Sequence, residues 1–333
     1  MEKKKTSKFR KPQQRKQGLK FLFYGAENSG KSVTALTFPQ IAFVDTEAKV
    51  GVYENNTERA KNLVAVADTV EYYEVIELAE EVLNNVNDYS TFVTDSETNL
   101  YDSMKVAVME VEEGKAVKRG GDIDDATIAM RGWGKVGLNN ARYKNLKVAL
   151  SSVGITVISI AHKKDVYAKD AKGEQTKVGE KPELKEGSKH DYDVVLRFYT
   201  TGMGNATKYY CEVEKDTTEL FKVGSKIENP SYENWKEYIE RTNSYETVGG
   251  NYAHAIEENK QDAEQSDEEH ADIETVRKEL QSLWNNAAEN SPKLKEAYRK
   301  IFVANAPKGN PNLVKDVETL KNIVEQMKEQ KGE

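Results

Sequence analysis

Eight consecutive residues, Gly25-Ala26-Glu27-Asn28-Ser29-Gly30-Lys31-Ser32, carry the G-x-x-x-x-G-K-[ST] spacing of a phosphate-binding loop. The residue types explain the chemistry. Gly25 and Gly30 let the backbone curl, so that successive N–H groups face phosphate oxygens. The helix that follows adds its positive end to the same anion site. Lys31 would reach the β- and γ-phosphates, and the Ser32 hydroxyl would join the shell of a Mg²⁺ ion. An apolar strand before the loop and a helical stretch after it are the context the motif requires. The expectation is a nucleoside triphosphate bound with Mg²⁺.

A carboxylate for that metal should end a neighbouring strand. Residues 90–96, Ser-Thr-Phe-Val-Thr-Asp-Ser, form a short apolar run that ends in Asp95, which would hold Mg²⁺ directly or through water. A strand-terminal Asp is also a common turn residue, but beside a phosphate loop the metal role is the better reading. The general base is less determined. Many P-loop ATPases put Glu directly after this Asp, whereas here Ser96 follows. Two candidates remain. Alternation along an extended Asp95-Ser96-Glu97 puts Glu97 on the side of Asp95. Glu47 follows the strand after the P-loop helix, at the sheet end where open α/β folds bind ligands, and is favoured on position.

These residues need a scaffold, and the hydropathy pattern supplies one. Strand-like runs at 19–24, 41–45, 63–66, 91–95 and 155–160 alternate with helical patterns at 31–37, 72–86, 98–112 and 133–152. That alternation predicts an α/β fold with a mostly parallel central sheet. Further runs at 193–200, 208–214 and 219–223 are spaced as hairpins, so the sheet should finish antiparallel. Two connections, 114–130 and 163–190, read as long loops, which in a compact domain are functional or disordered. The domain should span 19–241, after a basic, disordered arm over 1–18 and before an acidic linker over 242–271. Residues 1–20 carry nine Lys or Arg against one Glu, and residues 257–272 carry eight Asp or Glu against one Lys. Both segments read equally as solvated arms. Residues 272–330 read as a helical tail module of three short helices, two of them beginning at Ser291-Pro292 and Asn310-Pro311. Its apolar stripes suit the core of a small bundle used for docking.

With 333 residues, 32% of them charged, and a mean hydropathy of −0.76, the chain reads as soluble. Its longest mostly apolar stretch, 148–161, is too short to span a bilayer. Cys211 is the only cysteine, which excludes an internal disulfide and argues against thiolate metal sites. A cytoplasmic protein that does not engage a membrane is the expectation. The net charge of −7 gives no wholesale basic footprint for nucleic acid.

Phe43-Val44-Asp45-Thr46-Glu47-Ala48, following a P-loop and its helix, resembles the RecA/RadA recombinase core, and Val93-Thr94-Asp95-Ser96 is similar to that family's metal-binding strand. The likeness implies a RecA-like P-loop NTPase core that uses ATP and Mg²⁺, with Glu47 orienting the attacking water. It also implies that His162, at the end of the strand Thr156-Val157-Ile158-Ser159-Ile160-Ala161, is a γ-phosphate sensor, although bacterial RecA has glutamine there. The chain looks closer still to short phage-encoded RecA-like ATPases of the single-strand annealing recombination type. It shares with them Trp133-Gly134-Lys135-Val136, Ala161-His162 and a late strand carrying Lys215. The resemblance covers about 19–240. It implies Lys215 acting in trans on the γ-phosphate, a homo-oligomeric ring or filament, and single-stranded DNA bound through the two long loops. Those loops hold Lys115, Lys118, Arg119 and Arg131, then Lys163, Lys164, Lys169, Lys172, Lys177, Lys181, Lys185 and Lys189, with Tyr167 for stacking. Interleaved acids leave both with little net positive charge. In the same picture the tail docks a partner such as a single-strand-binding protein. A RecA-like helicase or clock-type switch is the competing expectation, and a nucleotide-dependent scaffold that barely hydrolyses ATP is a third. No Arg-rich lid points to a nucleotide kinase.

Overall fold

The structure is a computed structural model that describes residues 9–169, 174–248, 252, 273–287, 291–314 and 316–330. Lys172, the first eight residues of the basic arm and nearly all of the acidic linker beyond residue 248 lie outside the described residues. Two compact units are present, Met1–Ala253 and His254–Glu333. No described helix is long and apolar enough to cross a membrane.

The first unit is organised around β1 (Lys20–Gly25), which is buried at every residue after Lys20. A strand covered on both faces reads as a continuous apolar run, and this one does. Phe21 and Phe23 enter one layer with Phe38, Phe198 and Trp235; Leu22 and Tyr24 enter the other with Ala161, Tyr192 and Val195. The chain then forms α1 (Lys31–Ala35), β2 (Ile41–Asp45), α2 (Gly51–Glu54), α3 (Thr57–Ala60), β3 (Leu63–Asp68), α4 (Tyr72–Asn84), β4 (Thr91–Asp95), α5 (Glu97–Lys118) and α6 (Met130–Ser152). After these come β5 (Thr156–Lys169), β6 (Gln175–Pro182), β7 (Val194–Thr201), β8 (Lys208–Asp216), β9 (Lys226–Glu228) and α7 (Lys236–Asn243).

The strands lie in the order β3-β2-β4-β5-β1-β7-β8-β9, with β6 paired to β5. All pairings from β3 through β7 in that order are parallel, while β7–β8, β8–β9 and β5–β6 are antiparallel. This is the expected α/β P-loop fold with a mostly parallel sheet. One face packs on α4, α5 and α6 through Val75, Leu100, Met104, Leu146 and Leu150. The other packs on α1 and on Trp235 and Ile239. Parallel register carries the functional ends to a single edge: Gly25 lies opposite His162, Asp45 opposite Asp95, and Asp95 opposite Ile160.

Several expectations are corrected. The 163–190 loop is largely a β-hairpin, because β5 continues past His162 and returns as β6. Its alternating charges pair across the strands, Lys163 with Glu180 and Lys177 with Asp165, and Lys177 also reaches Glu180 along β6. The 114–130 loop is shorter than expected, since α5 runs through Gly114 to Lys118; an interior helical Gly costs only about 1 kcal/mol relative to Ala. Residues 219–223 form no strand. The Asp216 carboxylate accepts from the N–H groups of Thr218 and Phe221 and the Thr218 hydroxyl, winding the chain into a turn. The last strand is instead β9. Residues 16–18, assigned to the arm, sit on the core: Gly18 N–H donates to Ser151 O and Lys16 N–H to Glu246 O.

In the second unit, helical residues 273–287 (α8), α9 (Pro292–Asn305) and α10 (Val317–Glu329) enclose Leu280, Tyr298, Phe302, Leu320, Ile323 and Met327. Ser291 caps α9 as expected, accepting from Leu294 N–H. Asn310-Pro311 opens only a short 3-10 turn; the helix starts later, with Asp316 as its cap.

Candidate active site

The phosphate loop leaves β1 where only glycine fits. A Cβ on Gly25 would lie 2.1 Å from the carbonyl oxygen of Phe198 on the adjacent strand. Gly30 has φ +95°, in the left-handed region that glycine adopts without strain. Lys31 is buried, and its Nζ donates to Gly25 O (3.1 Å) and Ala26 O (2.7 Å). Burial pushes its pKa down, against the opposing pull of Asp95 and Glu47. The Ser32 hydroxyl donates to Asp95 Oδ2 at 2.6 Å. Burial raises the Asp95 carboxyl to about 6; the Ser32 hydrogen bond opposes the shift and the charge on Glu47 adds to it.

Glu47 stands on a loop that the neighbouring residues hold rigidly. The buried Asp45 carboxylate accepts from the backbone N–H of Glu47 (2.9 Å), Lys49 (2.6 Å) and Val50 (2.5 Å). Thr46 locks the same loop to β4: its hydroxyl donates to Ser96 O and accepts from Ser96 N–H, and its backbone N–H donates to Asp95 O. From there Glu47 Oε1 lies 2.6 Å from His162 Nε2 and accepts from the Ser96 hydroxyl, also at 2.6 Å. Lys49 donates to the second oxygen. His162 is the main reason that the Glu47 carboxyl falls well below its usual range, with Lys49 and Ser96 assisting. Glu47 in turn raises the His162 pKa.

These groups share a cavity of about 1260 Å³. Its walls are the whole loop from Gly25 to Ser32, with Asp45, Glu47, Lys49, Asp95 and His162, and, across from Gly30, Tyr209 and residues 229–231. A family of AAA domains matches residues 17–220, more than half of the chain. The chain belongs to the AAA domain family. It is therefore a P-loop ATPase domain, and the region that matches contains every wall residue named above except 229–231. No protein of curated function matches the chain. Among solved structures, it is similar to the flagellar accessory protein FlaH from Methanocaldococcus jannaschii, with 13% identity over 64% of this chain and 85% of that chain, at a TM-score of 0.33. It is also similar to a KaiC-like protein from the archaeon Pyrococcus horikoshii OT3, with 12% identity over the same shares and a TM-score of 0.38.

The donor set in this AAA domain fits Mg²⁺. Ser32 Oγ and the Asp95 carboxylate are hard oxygen ligands within 2.6 Å of each other. No group of three or more His, Cys, Asp or Glu able to hold a metal occurs among the described residues. A site of one hydroxyl and one carboxylate, completed by phosphate oxygens, is how Mg²⁺ is ordinarily held beside a nucleotide.

The two candidate bases separate. Glu97 is buried away from the cavity in an ion pair with Lys147 and accepts from the Tyr192 hydroxyl. Extended alternation does not continue past Asp95, because Ser96 caps α5 and Glu97 is already its first residue. Lys215 also stays out of the cavity of its own chain, with Nζ donating to Tyr192 O at 2.5 Å. Sequence reasoning missed Asp45, Thr46, Ser96 and Lys49 as the residues that fix Glu47. The only available signal was an Asp at a strand end two residues before Glu, the pattern of an Asx turn. Tyr209 and 229–231 gave no local signal, since they reach the loop only through the antiparallel strands.

Proposed function

We propose that this ATPase hydrolyses ATP with Glu47 as the base that activates water, and that it acts as an oligomer on single-stranded DNA. Hydrolysis rests on one observation above all: Glu47 lines the same cavity as the phosphate loop and Asp95, close enough for its charge to act on both Lys31 and Asp95. Lys31 and the loop bind and orient the triphosphate. Ser32 and Asp95 would hold Mg²⁺, which would supply neutralisation of the charge developing on the phosphates. Glu47, held in place by His162, Lys49 and Ser96, takes the proton of the attacking water and becomes a stronger base when His162 lets go of it. His162, 2.6 Å from Glu47, is the group that exchanges its carboxylate partner for a γ-phosphate oxygen.

The β5–β6 hairpin supports the DNA reading. It starts one residue after His162, on the same continuous strand. Lys164 and Lys181 are exposed and directly opposite each other in register. Like charges so paired are destabilising unless an anion lies across them. Tyr167, 56% exposed, offers a stacking face nearby. Lys215 acting on a neighbouring subunit, and the helical tail docking a single-strand-binding protein, belong to the same proposal.

The test measures ATP turnover and single-strand binding by the full chain and by Lys31→Ala, across a salt series. DNA should stimulate turnover, and binding should weaken with salt, with a log–log slope of about −0.7 per phosphate contacted. ATP turnover that DNA leaves unchanged, with no binding even at low salt, would overturn the DNA part and leave the hydrolysis part standing.

A further inference from the structure

A second network lies behind Asp95, and hydrolysis as described leaves it without a task. Thr94 and Glu97 bracket Asp95 and Ser96 in the chain, and both are held by α6. The buried Thr94 and Tyr143 hydroxyls lie 2.6 Å apart. Lys147 Nζ donates to both oxygens of Glu97 at 3.1 Å and to the Tyr192 hydroxyl at 2.7 Å, while the Tyr192 hydroxyl donates to Glu97. Tyr143 and Lys147 are four residues apart on α6, so they project from one face as two adjacent grips. The ammonium also sits over the rings of Tyr143 and Tyr192, 4.7 and 4.5 Å from their centroids. The Lys147 and Glu97 side chains are 3% and 9% exposed.

Burying such a pair is costly, and well-packed apolar residues in its place are often neutral or better for stability. What the pair does supply is a fixed location for the turn between β4 and α5. Ser96 is the N-cap of α5, accepting from Asn99 N–H, and its hydroxyl is also the one that holds Glu47. A displacement of Glu97 therefore moves Asp95 against Ser32 and moves the hydroxyl that aims Glu47.

We propose that Lys147, together with Tyr143, is a positioning residue of the nucleotide site: from α6 it clamps Thr94 and Glu97, so that Asp95 meets the metal and Ser96 aims Glu47. This rests on the roles of Asp95 and Glu47 given above. It predicts that α6, which contributes no residue to the cavity wall, controls metal affinity and turnover while leaving nucleotide capture to the phosphate loop.

The experiment compares wild type, Tyr143→Phe, Glu47→Gln and the charge-neutral pair Glu97→Gln with Lys147→Gln. It measures kcat and KM for ATP, the binding of a fluorescent ATP analogue with and without Mg²⁺, and thermal melting to establish folding. In the double variant kcat should fall about 10- to 100-fold, as a misplacement near 1 Å commonly costs. The Mg²⁺ concentration that half-tightens the analogue should rise, while KM and the metal-free affinity stay within about threefold. Tyr143→Phe, which deletes one hydroxyl and keeps the fold, should show the same pattern at about threefold to tenfold. Folded variants with wild-type kcat and Mg²⁺ dependence would overturn the proposal. So would an equal loss of analogue affinity with and without Mg²⁺. If the double variant does not fold, Tyr143→Phe decides by the same criteria. Wild-type turnover in Glu47→Gln would instead overturn the reading of the base, and the Mg²⁺ binding data would still judge the clamp.

Discussion

Glu47 and Glu97 both attach to the turn that follows Asp95, yet they serve opposite ends. Glu47 approaches from a different strand, accepts from Ser96 and His162, and faces the cavity that holds the phosphate loop. Glu97 is adjacent in sequence and turns inward to Lys147 and Tyr192. The difference follows from where a helix starts: with Ser96 as cap, the next side chain leaves the strand's alternation. Proximity in sequence to Asp95, the proposed metal ligand, is thus a weaker guide than the loop geometry one strand away.

That contrast breaks most sharply on stability. Glu97→Gln alone leaves the Lys147 ammonium buried and unpaired, and should cost about 3–5 kcal/mol in chemical denaturation. Glu47→Gln also removes a carboxylate that the fold favours in its charged form, but its partners His162 and Lys49 regain water, so the loss should be clearly smaller. Equal midpoints for the two variants would remove the distinction. Next in size, Lys31→Ala should weaken ATP binding by about 100-fold in equilibrium titrations, the scale of lost charge-assisted contacts.

A third prediction concerns Asp95. Burial raises its carboxyl to about 6, so the folded state binds a proton more tightly than the unfolded one. Stability from this group is present at low pH and is lost as pH rises from the ordinary carboxylate range through about 6. At pH 7.5, Asp95→Asn should therefore melt higher than wild type in the absence of nucleotide, while losing the Mg²⁺ dependence of ATP binding. A lower melting temperature would show that Asp95 is stabilised there in its charged form.

The smallest effect is the pH profile. The His162 pKa is raised mainly by its bond to Glu47, whose own pKa is depressed. The ion pair is therefore complete below the His162 pKa and is lost as pH rises through it. Turnover should climb through that window by at most about tenfold per pH unit, and His162→Gln should flatten the climb. An unchanged profile in that variant would separate His162 from Glu47 during turnover.

The phosphate loop was fully legible in the sequence because covalent spacing alone brings its eight residues together. So were β1, β2, β4 and the first half of β5, since these are buried on both faces and read as apolar blocks. The choice between Glu47 and Glu97 was not, because it depends on the residue at which α5 begins. The β5–β6 hairpin was missed for a different reason. Its faces carry charge paired across strands, Lys163 with Glu180 and Lys177 with Asp165, so no apolar period marks it. Gly114 argued for a helix end, yet the helix runs through it to Lys118, and Thr218 and Asp216 form a turn where Leu220 and Phe221 suggested a strand.

The central claim is that Glu47, and no other carboxylate near Asp95, activates the attacking water. Single-turnover ATP hydrolysis by Glu47→Gln, measured alongside ATP binding by the same preparation, tests it most directly. ATP affinity should stay within about threefold of wild type, and hydrolysis should slow by about 10²- to 10⁴-fold. Hydrolysis at the wild-type rate, with ATP bound normally, would contradict it.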